Sequence, residues 1–364
     1  MTDNLALERT YFVRRSSRAL GGPEPKSRIL GNRLQGYTPR MALDRRAFLA
    51  GMAATLVPCR AGAQPPRGLP APRIGWISTE AQPDPFVDGF REGLRRHGYV
   101  EGQSVILDLR YTRDLEALRT AVTELTQSKV AFIVSSGPAI RAIRGARDIP
   151  VLFAISGDPV ELGLAASLSR PGGNFTGLTF LSLEIAGKRV ELLKQAVPQL
   201  RRLAVLSNAD HPGERSERRA TEEAARALGL AVSYIPFTGG SQLDGGLSAV
   251  RDARADAMVV FPEGATIVAR AKIAQFAIAE RLPSMFGWSE YADAGGLMSY
   301  GANQRETYVR LAAYADKLLR GARIAELPIE QPTQFELVVN MRTAAALGIT
   351  FPPATLLLAN RRIE

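Results

Sequence analysis

Val130-Ala-Phe-Ile-Val134 is a run of five apolar residues that stops at Ser135-Ser136-Gly137-Pro138. A run that short, rich in β-branched and aromatic residues, reads as a strand buried on both faces. The small polar residues and proline after it read as the entry to a helix. The same grammar extends in both directions. Upstream, Ile74-Gly-Trp-Ile-Ser78 is a strand. Phe86, Phe90 and Leu94 recur every four residues on a helix that closes near His97-Gly98, where a cation suits the helix dipole. Val105, Leu107, Leu109 and Tyr111 alternate as a strand, and Asp114 caps a helix bearing Leu115, Leu118, Val122 and Leu125 on one face. Downstream, Val151-Leu-Phe-Ala-Ile155 is the fourth strand. Continuous apolar strands separated by helices specify a parallel sheet covered on both sides.

The rhythm then restarts. Helices are expected over 184–196, 214–228, 247–253 and 266–280, with strands over 203–206, 231–235, 257–261 and 283–286. A strand at 297–299, a helix at 305–319, an extended stretch at 335–339 and a short helix at 343–347 remain. These are too few for a third lobe and must complete the first two. The fold class is therefore α/β, with two doubly wound parallel-sheet lobes. The length of 364 residues agrees, since it exceeds what one core usually serves.

Composition narrows the function classes. Apolar residues make up 46% and charged residues 23%, which excludes a disordered chain. One cysteine, Cys59, permits no intrachain disulfide, and two histidines well apart make a His-rich zinc site unexpected. The formal charge of +10 is unevenly placed. Residues 1–63 carry 11 basic and 4 acidic side chains, whereas residues 64–364 carry 35 and 32. A nucleic-acid binder would hold its excess on the folded body, so no nucleic-acid partner is expected.

The basic leader reads as an export signal. Arg45-Arg46 precedes an apolar run from Ala47 to Val57, then Pro58 and the small-residue site Ala61-Gly62-Ala63. The 41–63 segment is twin-arginine-like, but Asp44 and Ala50 depart from that pattern, so either export route fits. Cleavage is expected near Ala63, with 64–71 as linker and a periplasmic destination. Residues 1–40 show no periodicity and are expected to be a non-native or disordered extension, with translation starting at Met41.

Open parallel sheets place ligands in a crevice beyond the strand C-termini. Ser78-Thr79, Ser136-Gly137, Ser156-Gly157-Asp158, Ser207-Asn208 and Pro262-Glu263-Gly264 all stand there. Each Ser, Asn or Asp taken singly is accounted for by helix capping. Five such loops at equivalent strand ends point to a shared site, where main-chain N–H groups meet an anion and Asp158 or Glu263 meets an ammonium. His211 is expected in a surface turn. No Rossmann, P-loop or nucleophile-elbow motif is present, and no enzyme, cofactor or metal is expected.

Seven stretches in order carry a resemblance. They are Ile74-Gly-Trp-Ile-Ser78, His97-Gly-Tyr-Val-Glu-Gly102, Gly157-Asp-Pro-Val160, Ser169-Arg-Pro-Gly-Gly-Asn-Phe-Thr-Gly-Leu178, Gly187-Lys-Arg-Val-Glu-Leu-Leu193, Ala294-Gly-Gly-Leu-Met-Ser-Tyr-Gly301 and Leu327-Pro-Ile-Glu-Gln-Pro-Thr-Gln-Phe-Glu-Leu-Val-Val-Asn340. Over residues 72–364 the chain resembles the ABC transporter substrate-binding proteins of the tryptophan/tyrosine type. The resemblance implies a type I periplasmic binding fold with interlobe crossings near 175–181, 286–291 and 327–335. Lobe one would then be 72–178 plus 289–328, and lobe two 179–288 plus 329–364. It implies a ligand site of Ser78, Ser136, Gly137, Asp158, Asn208, Glu263, Trp288 and Tyr300, with Trp288 and Tyr300 suited to stacking on a planar ligand. Trp288 and Ser207-Asn208 depart from the family's usual residues and bear on cargo shape. The expected function is a periplasmic receptor, acting as a monomer, that delivers an amino-acid-like or aromatic solute to an inner-membrane ABC permease. A ligand-sensing regulator and a two-lobed α/β enzyme are the alternatives.

Overall fold

The computed structural model describes residues 70–364 apart from Ala81, Leu181 and Ser182. The export signal, the cleavage site and the 1–40 extension lie outside the described residues.

Lobe one opens with β1 (Arg73–Ser78), α1 (Pro85–Arg96), β2 (Ile106–Tyr111), α2 (Leu115–Gln127), β3 (Phe132–Ser136), α3 (Ile140–Ile143), β4 (Val151–Ile155) and β5 (Phe175–Thr179). Its five strands are all parallel, in the order β2-β1-β3-β4-β5. The caps follow the sequence closely. Asp84 Oδ1 accepts from the N–H groups of Phe86 and Val87 at the start of α1. Its other oxygen accepts from the buried Trp76 indole at 3.1 Å, which satisfies the one polar atom of a side chain otherwise sealed in the core. Asp114 caps α2 in the same way, and His97 closes α1.

After β5 the chain continues in lobe two. There α4 (Leu183–Ala196), β6 (Arg202–Asn208), α5 (Glu214–Ala227), β7 (Ala231–Phe237), α6 (Leu243–Asp252), β8 (Ala257–Val260), α7 (Gly264–Val268), α8 (Arg270–Ala279), β9 (Ser284–Phe286), α9 (Ser289–Asp293) and β10 (Met298–Gly301) follow. Then α10 (Gln304–Leu319) returns to lobe one, and β11 (Glu336–Asn340), α11 (Met341–Leu347), α12 (Pro353–Leu358) and β12 (Arg361–Ile363) finish lobe two. The second sheet has seven strands in the order β12-β11-β10-β9-β8-β6-β7, parallel except for the β10–β11 pair.

Three details differ from the sequence reading. The second crossing is not at 286–291. Met298 and Ser299 pair with β9, and Met298–Gly301 pair with β11, so 289–301 stays in lobe two and the chain leaves it only at 302–303. The single helix expected over 266–280 is two, parted at Ala269 (ψ 9°), with the first started by a capping box at Glu263. The last crossing begins beyond Glu330, because Glu330 is bound to β5 through Gly177 O and Thr179 N.

Two close packings hold the returning elements. On α1, a Cβ at Gly93 would stand 2.3 Å from Val309 O of α10, so only glycine lets these helices meet. In lobe two, the buried Arg189 of α4 donates Nε to Tyr300 O at 2.8 Å and lies 3.8 Å from Glu217 of α5. That guanidinium ties the element after the first crossing to the strand before the second.

Candidate functional site

The strand C-termini of the two lobes face each other across a cavity of about 150 Å³. Lobe one lines it with Thr79, Glu80, Arg113, Leu115, Leu118, Pro138 and Arg141, and lobe two with Asn208, Asp210, Gly239, Gly240 and Ala265. The lobes are shut. Arg141 and Asp210 pair across the gap at 2.9 Å, Ser216 Oγ donates to Glu161 at 3.2 Å, and a Cβ at Gly240 would stand 2.8 Å from the Arg113 guanidinium.

Of the sequence-derived candidates, Asn208 lines the cavity, and Glu263 stands directly behind it. Glu263 is buried and caps α7, accepting from the N–H groups of Ala265 and Thr266 and from Asn208 Nδ2. Burial pushes its carboxyl above the ordinary range, while those donors pull it down. Ser78 Oγ accepts from the Glu80 N–H, and Ser136 Oγ bonds the hydroxyl of the buried Tyr308 at 2.8 Å. Gly137 sits at φ +54° and leads into Pro138 on the cavity wall.

The other three candidates stand elsewhere. Asp158 caps its own turn through the N–H groups of Val160 and Glu161 and lines a separate groove against α5. Trp288 is buried among Phe86, Phe180 and Tyr291, at 6.1, 5.5 and 6.4 Å between ring centroids. Tyr300 packs on the core of lobe two, 6.3 Å from Phe335, and its carbonyl accepts from Arg189 Nε. Among the described residues, no aromatic side chain lines the cavity. His211 is not in a surface turn either: it is buried, accepts from Gly213 N–H at Nδ1, and is pushed by burial down to about 3, so it is neutral.

Sequence reasoning missed Glu80, Arg113, Arg141 and Asp210. Burial, and then the charge of Glu263, push the Glu80 carboxyl up to about 8, with Thr79 and Arg113 opposing. Glu80 and Arg113 each stand two residues past the end of a strand, and a charged residue in such a loop was the available signal. Neither forms an ion pair among the described residues, so the cavity offers one carboxyl group and one guanidinium without an ion-pair partner there.

A family model described as ABC transporter substrate binding protein matches residues 77–363. A tyrosine-binding protein of Clostridioides difficile (strain R20291) is 22% identical over 265 residues, covering 72% of this chain and 76% of that protein. Among solved structures, an ABC domain in complex with L-Trp from Streptococcus pneumonia aligns with TM-score 0.73 and 22% identity, over 81% of this chain and 100% of that one. A ligand-free, open substrate binding protein with adhesive properties from Clostridium difficile aligns with TM-score 0.57 and 21% identity, over 81% and 100%. Both have the type I periplasmic binding fold seen here.

Proposed function

This chain belongs to the ABC transporter substrate-binding protein family, and on that premise we propose that it closes its lobes on a small amino-acid-like zwitterion and hands it to an ABC permease. Proteins of this family bind small-molecule ligands and work outside the cytoplasm. Among the described residues, no helix is long and apolar enough to cross a membrane.

The observation that carries the ligand reading is the pair of unmatched charges in the cavity. Arg113 can take a carboxylate and Glu80 an ammonium, while Asn208 and the main chain at Gly239-Gly240 supply hydrogen-bonding groups between them. The relatives that bind tyrosine and L-Trp favour the amino-acid class. The cavity's size, below the roughly 300 Å³ at which ligand pockets usually begin, and its lack of aromatic walls favour a compact side chain over an indole.

The 41–63 segment carries the rest of the reading: export to the periplasm, cleavage near Ala63 and delivery to a permease in the inner membrane. A thermal-shift panel of the twenty amino acids, followed by calorimetry, tests the ligand. The expected result is one compact amino acid that raises Tm, at a stoichiometry of one. A panel in which no amino acid raises Tm refutes the ligand class. Sequencing the N-terminus of the exported protein tests the leader, and a start far from Gln64 refutes that cleavage.

A further inference from the structure

Glu80 belongs to lobe one, but its carboxylate spans the gap. A Cβ at Gly264, the first residue of α7, would stand 2.1 Å from Oε1. The residue is 5% exposed. Oε1 accepts from Thr79 Oγ1 at 3.2 Å, and Oε2 makes no hydrogen bond to any described residue. The charged and titratable groups around it are Glu263 from α7, Asp84 at the head of α1, Tyr308 from α10 and Arg113 beyond β2. Arg141 and Asp210 line the same cavity but are paired with each other. Two carboxyl groups, one from each lobe, are thus brought together by closure, with no cation among the described residues within ion-pair distance of Glu80. Burying such a charge uncompensated is costly enough that the group neutralises or the burial is undone.

We infer that Glu80 is the group by which the cleft reads a cation: the lobes shut only when its charge is cancelled, by the cationic nitrogen of a ligand or by a proton. The ligand half rests on the receptor reading above, and the proton half stands on the geometry alone. Between the two carboxylates, Glu80 is the one that takes the proton. Glu263 accepts three hydrogen bonds, all of which favour its charged form, whereas Glu80 accepts one. The direction of the pH effect follows. In the shut form Glu80 is raised from 4.5 to about 8, so the proton supports closure below that value and the support is lost as pH rises through it. Opening returns Glu80 to water and separates it from Glu263, so it ionises more readily, with only Asp84 of its own lobe still opposing. A ligand ammonium takes the place of the proton and frees closure from this dependence.

Small-angle scattering of the empty protein across about pH 6 to 9, beside Glu80→Gln, tests the proton half. The wild type should expand as pH rises, and Glu80→Gln, which is neutral at every pH, should stay compact. A wild type that does not change, or a variant that expands in step with it, overturns the inference. Calorimetry with amino acids and their N-acetyl derivatives, which lack the cation, tests the ligand half. N-acetylation should weaken wild-type binding by more than about tenfold, and that ratio should fall below about threefold in Glu80→Gln. Equal wild-type affinity for the two forms overturns it. If no amino acid binds, the receptor's ligand class is wrong, and the scattering experiment still decides whether Glu80 gates closure.

Discussion

Beside the first crossing, Phe86, Phe180, Trp288 and Tyr308 pack ring on ring, with Phe86 and Tyr308 stacked at 4.9 Å. Around the cavity, the groups at the lobe boundary are instead charged: Glu80, Arg113 and Arg141 from lobe one, and Asp210 from lobe two. Both regions join lobe one to lobe two, but they differ in what can dissolve them. The rings gain from leaving water, a contribution indifferent to pH and to small ions. The Arg141–Asp210 pair gains little at its half-exposed rim, the buried Glu80 has no cation beside it among the described residues, and both can exchange partners with a ligand. A seam that must open in service is charged, and a seam that must keep the lobes in register is aromatic. Trp288 belongs to the second kind, although its place after β9 had suggested the first.

Four substitutions would break or sharpen that contrast. Trp288→Ala should cost about 4 kcal/mol in urea denaturation, because a buried aromatic leaves a cavity that its neighbours cannot fill. A variant that kept its stability and lost ligand affinity would move Trp288 to the cavity side. Arg189→Met should cost about 3 kcal/mol, since it strips the Tyr300 carbonyl of its donor and leaves Glu217 buried without a cation. Burial already runs against this pair, lowering Arg189 and raising Glu217 from 4.5 to about 7. Wild-type stability should therefore decline as pH rises from about 4.5 through 7. In the variant the decline should continue to higher pH, and identical denaturation profiles at all pH values would show that the two groups do not interact. Glu263→Ala should cost about 1–2 kcal/mol through the lost cap on α7, read by the same denaturation assay. Arg141→Ala should change unfolding by less than about 1 kcal/mol, because its pair with Asp210 is half-exposed, yet should enlarge the radius of gyration of the empty protein. A large stability loss there would place the rim pair with the structural seam.

Much of this architecture is legible in the order of apolar runs. Val151–Ile155 is a strand at the bounds its sequence suggests, Asp114 and His97 cap the helices they were assigned to, and the restart after β5 marks the second lobe. These features depend on residues near one another in sequence, where period and capping chemistry act directly. The lobe membership of 289–301 is different. It depends on hydrogen bonds from β10 to β9 and β11, the latter more than thirty residues away, and nothing in Met298-Ser-Tyr-Gly301 names those partners.

The cavity divides in the same manner. The strand-end loops that line it can be read from the sequence, because a doubly wound sheet always puts them at its carboxyl edge. Which residue of each loop looks into the gap cannot be read. Ser78 is drawn into a bond with the Glu80 N–H and Ser136 into one with Tyr308, while Glu80 and Pro138, two residues further on, reach the cavity. The last residue of a buried strand still belongs to the core. The turn that follows, and the opposite lobe pressed against it, set where the next side chains point.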